Sequence, residues 1–255
     1  GATKAIDKLA AKTPDGPMPE QLRGLMALGK RDAAGARGHF EEALKRQADF
    51  MPALVKLTEM DMAEGKVPAA RARFEDYLKR QPKSMEAHMA LSDISAFEGQ
   101  DDKAVEWLEK AIKLNPTLPT PRVMLVDRLI GQRQNDRALD AAQAGVSAIP
   151  TSSPLLERLG RAQLMTAHAD QAVGTFNKLA ALNPRSAGPL LMLADAHSAT
   201  KNPSGVAAAV RKAQEVAPAS PQVAQAAVTL ALRDRKPDQA LAVARKLQSL
   251  DPKDP

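Results

Sequence analysis

The chain has 255 residues, 48 of them alanine and only seven aromatic (five Phe, one Trp, one Tyr), which disfavours a single core built on aromatic anchors and favours many short, closely packed helices. Cysteine is absent, so disulfides, a thiol nucleophile and cysteine-ligated zinc or iron–sulfur centres are excluded. The net charge of +6 is spread along the chain rather than gathered in a tail, and no apolar run approaches the ~20 residues of a membrane span.

One period organises everything that follows. Pro82, Pro116, Pro150, Pro184, Pro218 and Pro252 are each 34 residues apart, and twelve residues before them stand Ala70, Ala104, Ala138, Ala172, Val206 and Ala240. Leu57, Leu91, Leu125, Leu159 and Leu193 recur in the same phase, each followed by a mostly small residue: Thr58, Ser92, Val126, Gly160 and Ala194. With the proline set at position 32, residues 1–16 hold the second half of a unit, with Ala2, Ile6 and Pro14 at positions 20, 24 and 32. Seven complete units follow at 17–50, 51–84, 85–118, 119–152, 153–186, 187–220 and 221–254.

Each unit is predicted to fold as two antiparallel helices, A over positions 1–14 and B over positions 17–30. Apolar spacing such as Trp107, Leu108, Ala111 and Ile112 is helical. Small residues at positions 8 and 20 permit close approach of A to B. The proline at 32 lies just beyond B, where it interrupts nothing. Ser153-Pro154, Asn202-Pro203 and Ser220-Pro221 place a capping oxygen before a first-turn proline, and Gly65 and Gly99 fall in the A-to-B turn. The phase starts in mid-unit and stops at a unit boundary without a polar capping helix. This leads us to expect a piece of a longer array whose further segments cover the terminal helices.

The pattern of Leu at 7, a small residue at 8, Ala at 20, an apolar residue at 24 (Phe40, Phe74, Leu108, Ala142, Phe176, Val210, Ala244) and Pro at 32 resembles the tetratricopeptide (TPR) family. The usual Trp at 4 and Tyr at 11 are replaced, position 11 by Asp61, Ser95, Leu129 and Gln163. The resemblance implies an all-α, right-handed superhelical solenoid of helical hairpins without strands. Its concave groove would be lined from helix A at positions 2, 5, 9, 12 and 13. Residues at those addresses form the candidate partner-binding groove: Val55, Glu59, Met62, Met89, Asp93, Val123, Asp127, Glu157, Arg161, Leu191 and Asp195. Glu59, Asp93 and Asp127 put a carboxylate at position 9 in three consecutive units, so the expected partner is a protein segment with bases interleaved among apolar residues. The competing reading is that these acids only bond neighbouring helices. No unit has Lys at position 5, which argues against a clamp for a peptide carboxylate.

Chemistry is otherwise sparse. His39, His88, His168 and His197 share neither a register nor a helical spacing, and no hydrolase, zincin, P-loop or dinucleotide motif occurs, so no catalytic residue, metal or cofactor is expected. Nucleic acid is not expected, because the aromatics fall in or beside the packing seam and Lys45, Arg46, Arg71, Arg73, Lys79 and Arg80 fall on B helices read as an outward, solvated surface.

Several stretches, among them 155–164, 172–184, 190–196 and 240–255, also resemble the TPR-repeat lipoproteins of PEP-CTERM/exosortase systems. That resemblance implies a non-enzymatic scaffold in an exopolysaccharide-associated envelope assembly, periplasmic and held at the outer membrane by a lipid anchor outside these residues. A cytosolic adaptor, or a regulatory array within a larger enzyme such as a glycosyltransferase, shares the same pattern.

Overall fold

The computed structural model describes residues 1–250, with side chains through 248. Among the described residues there are fifteen α-helices and no strand. They form two compact units, Gly1–Asn115 and the chain from Pro116 onward.

The first unit opens with α1 (Ala2–Lys12) and continues with three hairpins. Their A helices are α2 (Met18–Gly29), α4 (Met51–Ala63) and α6 (Met85–Phe97), and their B helices are α3 (Ala33–Arg46), α5 (Val67–Arg80) and α7 (Asp101–Leu114). The second unit has A helices α8 (Pro119–Gly131), α10 (Ser153–Met165), α12 (Gly188–Ala199) and α14 (Pro221–Arg233). Its B helices are α9 (Asn135–Ala148), α11 (Ala169–Leu182), α13 (Pro203–Val216) and α15 (Pro237–Leu250). Pro14, Pro82, Pro116, Pro150, Pro184 and Pro218 each stand two residues past a B helix, where the ring stops propagation without breaking a helical bond, and Pro252 lies outside the described residues.

Every A helix closes in the same way. The amide at position 16 reaches back to the carbonyl at position 11, as in Lys66 to Asp61 (2.7 Å), Gln134 to Leu129 (2.9 Å) and His168 to Gln163 (2.7 Å). This six-residue closure requires a left-handed residue at position 15. Gly65 and Gly99 supply it with φ of 73° and 71°. Arg31, Arg133, Ala167, Lys201 and Arg235 adopt it with φ of 54–63° despite carrying a Cβ. Ala167→Gly is therefore expected to raise stability by about 0.5–1 kcal/mol, since relief of left-handed strain exceeds the entropy that glycine adds to the unfolded chain. Gly65→Ala should do the reverse, and urea midpoints of the two variants check both.

Close A-to-B approach rests on volumes traded between positions 8 and 24. Gly24 lies under the Phe40 ring and Gly160 under the Phe176 ring, so closely that a Cβ at either glycine would overlap the aromatic edge. At Val126 and Ala142 the exchange runs the other way, whereas Ala194 and Val210 keep the smaller residue at position 8. Thr58 opposite Phe74 breaks the trade, and α4 packs less intimately on α5 than α2 on α3 or α10 on α11. Position 20 is fully buried at Ala36, Ala70, Ala104, Ala138 and Ala172. At Ala104 the seam gains a buried hydrogen bond, Ser92 Oγ donating to the Ala104 carbonyl at 2.7 Å.

Ser220 and Asn202 cap α14 and α13 through the amides of Val223 (3.4 Å) and Gly205 (3.0 Å), as the Ser-Pro and Asn-Pro pairs suggest. Ser153 does not cap α10. It is already the first helical residue, and its Oγ instead accepts from Asn183 Nδ2 at 2.9 Å, tying α10 to the end of α11.

Several bases placed by the sequence on a solvated surface are internal ties. Arg46 donates to Glu20 (3.1 Å) and to the Pro14 carbonyl (3.2 Å), Arg73 to Asp61 (2.6 Å), and Arg71 pairs with Glu98. Position 30 repeats the Arg46 arrangement at Arg80, which donates to the Ala48 carbonyl at 3.1 Å. Here B-helix cations lock one hairpin to its predecessor.

Buried Glu20, in α2, is the most elaborate of these ties. His39 Nδ1 stands 2.8 Å from one carboxylate oxygen, while Arg23 (2.5 Å) and Arg46 (3.1 Å) hold the other. Burial pushes its carboxyl up, but the His39 and Arg23 hydrogen bonds and the charges of Arg23 and Arg46 outweigh that, leaving it below the ordinary value of 4.5. The stabilisation is thus complete above about pH 4.5 and lost as pH falls through the lowered value. Glu20→Gln should be less stable at pH 7 and should lose less on acidification below 4.5 than the parent; thermal melts across that window test this.

Candidate functional site

The candidate residues lie on the A-helix faces of the two units. In the first, Val55 and Met62 are half-buried and pack onto the cluster formed by Leu54, Phe74, Leu91 and Ile94, so they serve mainly as core. Met89 is half-buried. Glu59 is exposed and bonded to Lys56 within its own helix at 2.7 Å. Asp93 is exposed but partnered.

In the second unit Val123 is half-buried, and Asp127 is held bidentately by Arg158, with both nitrogen–oxygen distances 3.0 Å. Asp127 in turn raises the Arg158 guanidinium above its usual value. Arg158 also lies 3.5 Å from Glu157, which is 3.7 Å from Arg161. The expected row of open carboxylates is therefore interrupted, because Arg158 at position 6 of α10 reaches the position-9 acid of the preceding hairpin. Glu59 and Asp127 are thus bonded to neighbouring side chains, the arrangement that the competing reading expects, and Glu157 at position 5 lies beside Arg158 and Arg161.

Asp195 differs from these. With Leu191 it lines a cleft of about 370 Å³ formed by α12, α13 and α14, whose walls include Val206, Val210, Ala226 and Leu230. Among the described residues its exposed carboxylate has neither a hydrogen bond nor an ion pair, and desolvation alone pushes its carboxyl above the ordinary value. Gln222, Gln225 and Thr229 of α14 line the same cleft with polar groups able to meet a polypeptide main chain. Arg233 at the rim is directed to Asp234, 3.6 Å away.

Two features escaped the sequence reading. Phe97, at position 13 of α6, is 67% exposed and presents a large apolar surface on the same helix as Met89 and Asp93. Position 13 is a groove address, but the sequence pattern places the aromatics in or beside the packing seam. Position 11 is the second. Where the tyrosine of the repeat pattern is missing, polar groups bridge A to B: Asp61 to Arg73 (2.6 Å), and Gln163 to Thr175 (2.8 Å). Among the described residues no cluster of three or more His, Asp or Glu could hold a metal, and no helix is long and apolar enough to cross a membrane.

Residues 61–119 match the tetratricopeptide repeat family model. Among curated proteins none matches the chain at the level of sequence. Solved structures share its fold. PilF of Pseudomonas aeruginosa is 20% identical, covers 79% of this chain and 91% of its own, and superposes with a TM-score of 0.56. YrrB, a TPR protein with an unusual peptide-binding site, is 16% identical over 77% of this chain and 97% of its own, with a TM-score of 0.53. MamA of Desulfovibrio magneticus is 17% identical over 66% and 95%, also at 0.53. By fold, then, the chain is an all-α array of tetratricopeptide-type helical hairpins.

Proposed function

We propose that the protein is a non-enzymatic interaction scaffold whose A-helix faces dock a segment of a partner protein. The observation that supports this most is the cleft between α12 and α14, where the outer edges of core residues such as Val206 and Val210, the amide side chains of α14 and a carboxylate without a partner among the described residues stand together. Exposed Phe97 gives the first unit an anchor of the kind that dominates binding energy when covered. YrrB, which shares the fold, has a peptide-binding site. We extend the reading to an envelope assembly associated with exopolysaccharide, periplasmic and outer-membrane-anchored, on the resemblance of stretches such as 155–164 and 190–196 alone.

Photo-crosslinking residues at Phe97 and Gln225, compared with Lys178 and Glu109 on B helices, test the docking face in cells. Adducts to one partner from the A-face positions are expected. Adducts only from the B-helix positions, or none from any, would contradict the proposal.

A further inference from the structure

We propose that the cleft between α12 and α14 is a subsite for a lysine or arginine side chain of the docked polypeptide, with Asp195 meeting the charge and Leu191, Val206, Val210 and Leu230 enclosing the aliphatic stem. This rests on the reading of the A-helix face as the docking surface and specifies what that surface selects. The argument is one of complementarity. The Asp195 residue is exposed at the mouth of the cleft, yet its carboxylate is partly desolvated by the apolar walls and meets no cation among the described residues, so an incoming cation finds an unmatched charge there. Only a long basic side chain combines a charged head with an apolar stem that can lie along such walls. The contrast within the same unit is direct: Asp127 already has the bidentate Arg158, whereas among the described residues no cation reaches Asp195 and Arg233 is turned to Asp234. An acidic side chain would face Asp195, and a purely apolar one would leave it desolvated and unmatched.

Random dodecapeptides displayed on phage and selected on the immobilised full chain test the assignment. The parent protein is expected to enrich Lys or Arg flanked by apolar residues. In fluorescence anisotropy, Asp195→Asn should weaken the best such peptide about five- to tenfold and flatten its salt dependence. Because desolvation alone holds the Asp195 carboxyl up, this substitution removes an unfavourable charge, and its melting temperature should not fall. Thr229→Arg, at an exposed cleft position, should abolish the enrichment by placing a resident cation beside Asp195. Apolar peptides enriched without basic preference, or equal affinity of the Asn variant for the basic peptide, would overturn the subsite while leaving docking intact. No enrichment on either protein would overturn both.

Discussion

Asp61→Ala is expected to destabilise the first unit by about 3 kcal/mol, the cost of opening a buried ion pair from one side. The Asp61 side chain is only 2% exposed and receives Arg37 Nη1 at 2.7 Å and Arg73 Nε at 2.6 Å. Arg37 belongs to the preceding hairpin and also donates to Glu64 at 2.9 Å, so one carboxylate fastens α5 to α4 and both to α3. Removing it leaves the mostly buried Arg73 without that partner, although both arginines retain some water contact, which holds the effect toward the lower end for buried pairs. The apolar triple change Asp61→Leu, Arg37→Met, Arg73→Met should recover most of the loss, because it removes the desolvation cost along with the attraction. Trp107, in the same unit, reports the transition by fluorescence during urea unfolding. Equal stability of parent and Asp61→Ala would show that the network is ornamental.

A second large effect is expected where Gly160 meets Phe176. Gly160→Val forces a branched side chain into space held by the ring and should cost about 1–3 kcal/mol, while Phe176→Ala opens a cavity costing about 3–5 kcal/mol. Made together they reproduce the Val126 and Ala142 combination that the chain already uses one hairpin earlier. The double variant should therefore be more stable than the sum of the single losses predicts, by about 1–3 kcal/mol of coupling. Thermal unfolding followed by circular dichroism measures the cycle, and strict additivity would mean that positions 8 and 24 do not share one volume.

How much of this was legible in the sequence follows from how far each interaction reaches along the chain. The helices were legible because Leu57, Ala70 and Pro82 return in phase, and helix periodicity converts that phase into faces without knowledge of contacts. The left-handed residue at position 15 was legible only at Gly65 and Gly99. At Arg133 or Ala167 the closure of the helix imposes a conformation that the residue type does not announce. The Asp61 network was not legible, since Arg37 lies 24 residues away and its side chain meets Asp61 only once α3 packs on α4. The candidate site divides in the same way. Asp127 and Asp195 share a repeat address, but Arg158 neutralises one and no described residue neutralises the other, a difference set by position 6 of the next hairpin rather than by position 9 itself.

The measurement that bears most directly on the central claim is methyl NMR of the full chain, labelled at Leu and Val, titrated with the partner segment recovered by crosslinking from Gln225. Docking on the A-helix face predicts shifts at Leu191, Val210 and Leu230, which line the cleft, with little change at Leu182 on the exposed end of α11. Shifts centred on Leu182 and other B-helix methyls, with Leu191, Val210 and Leu230 unmoved, would contradict the account.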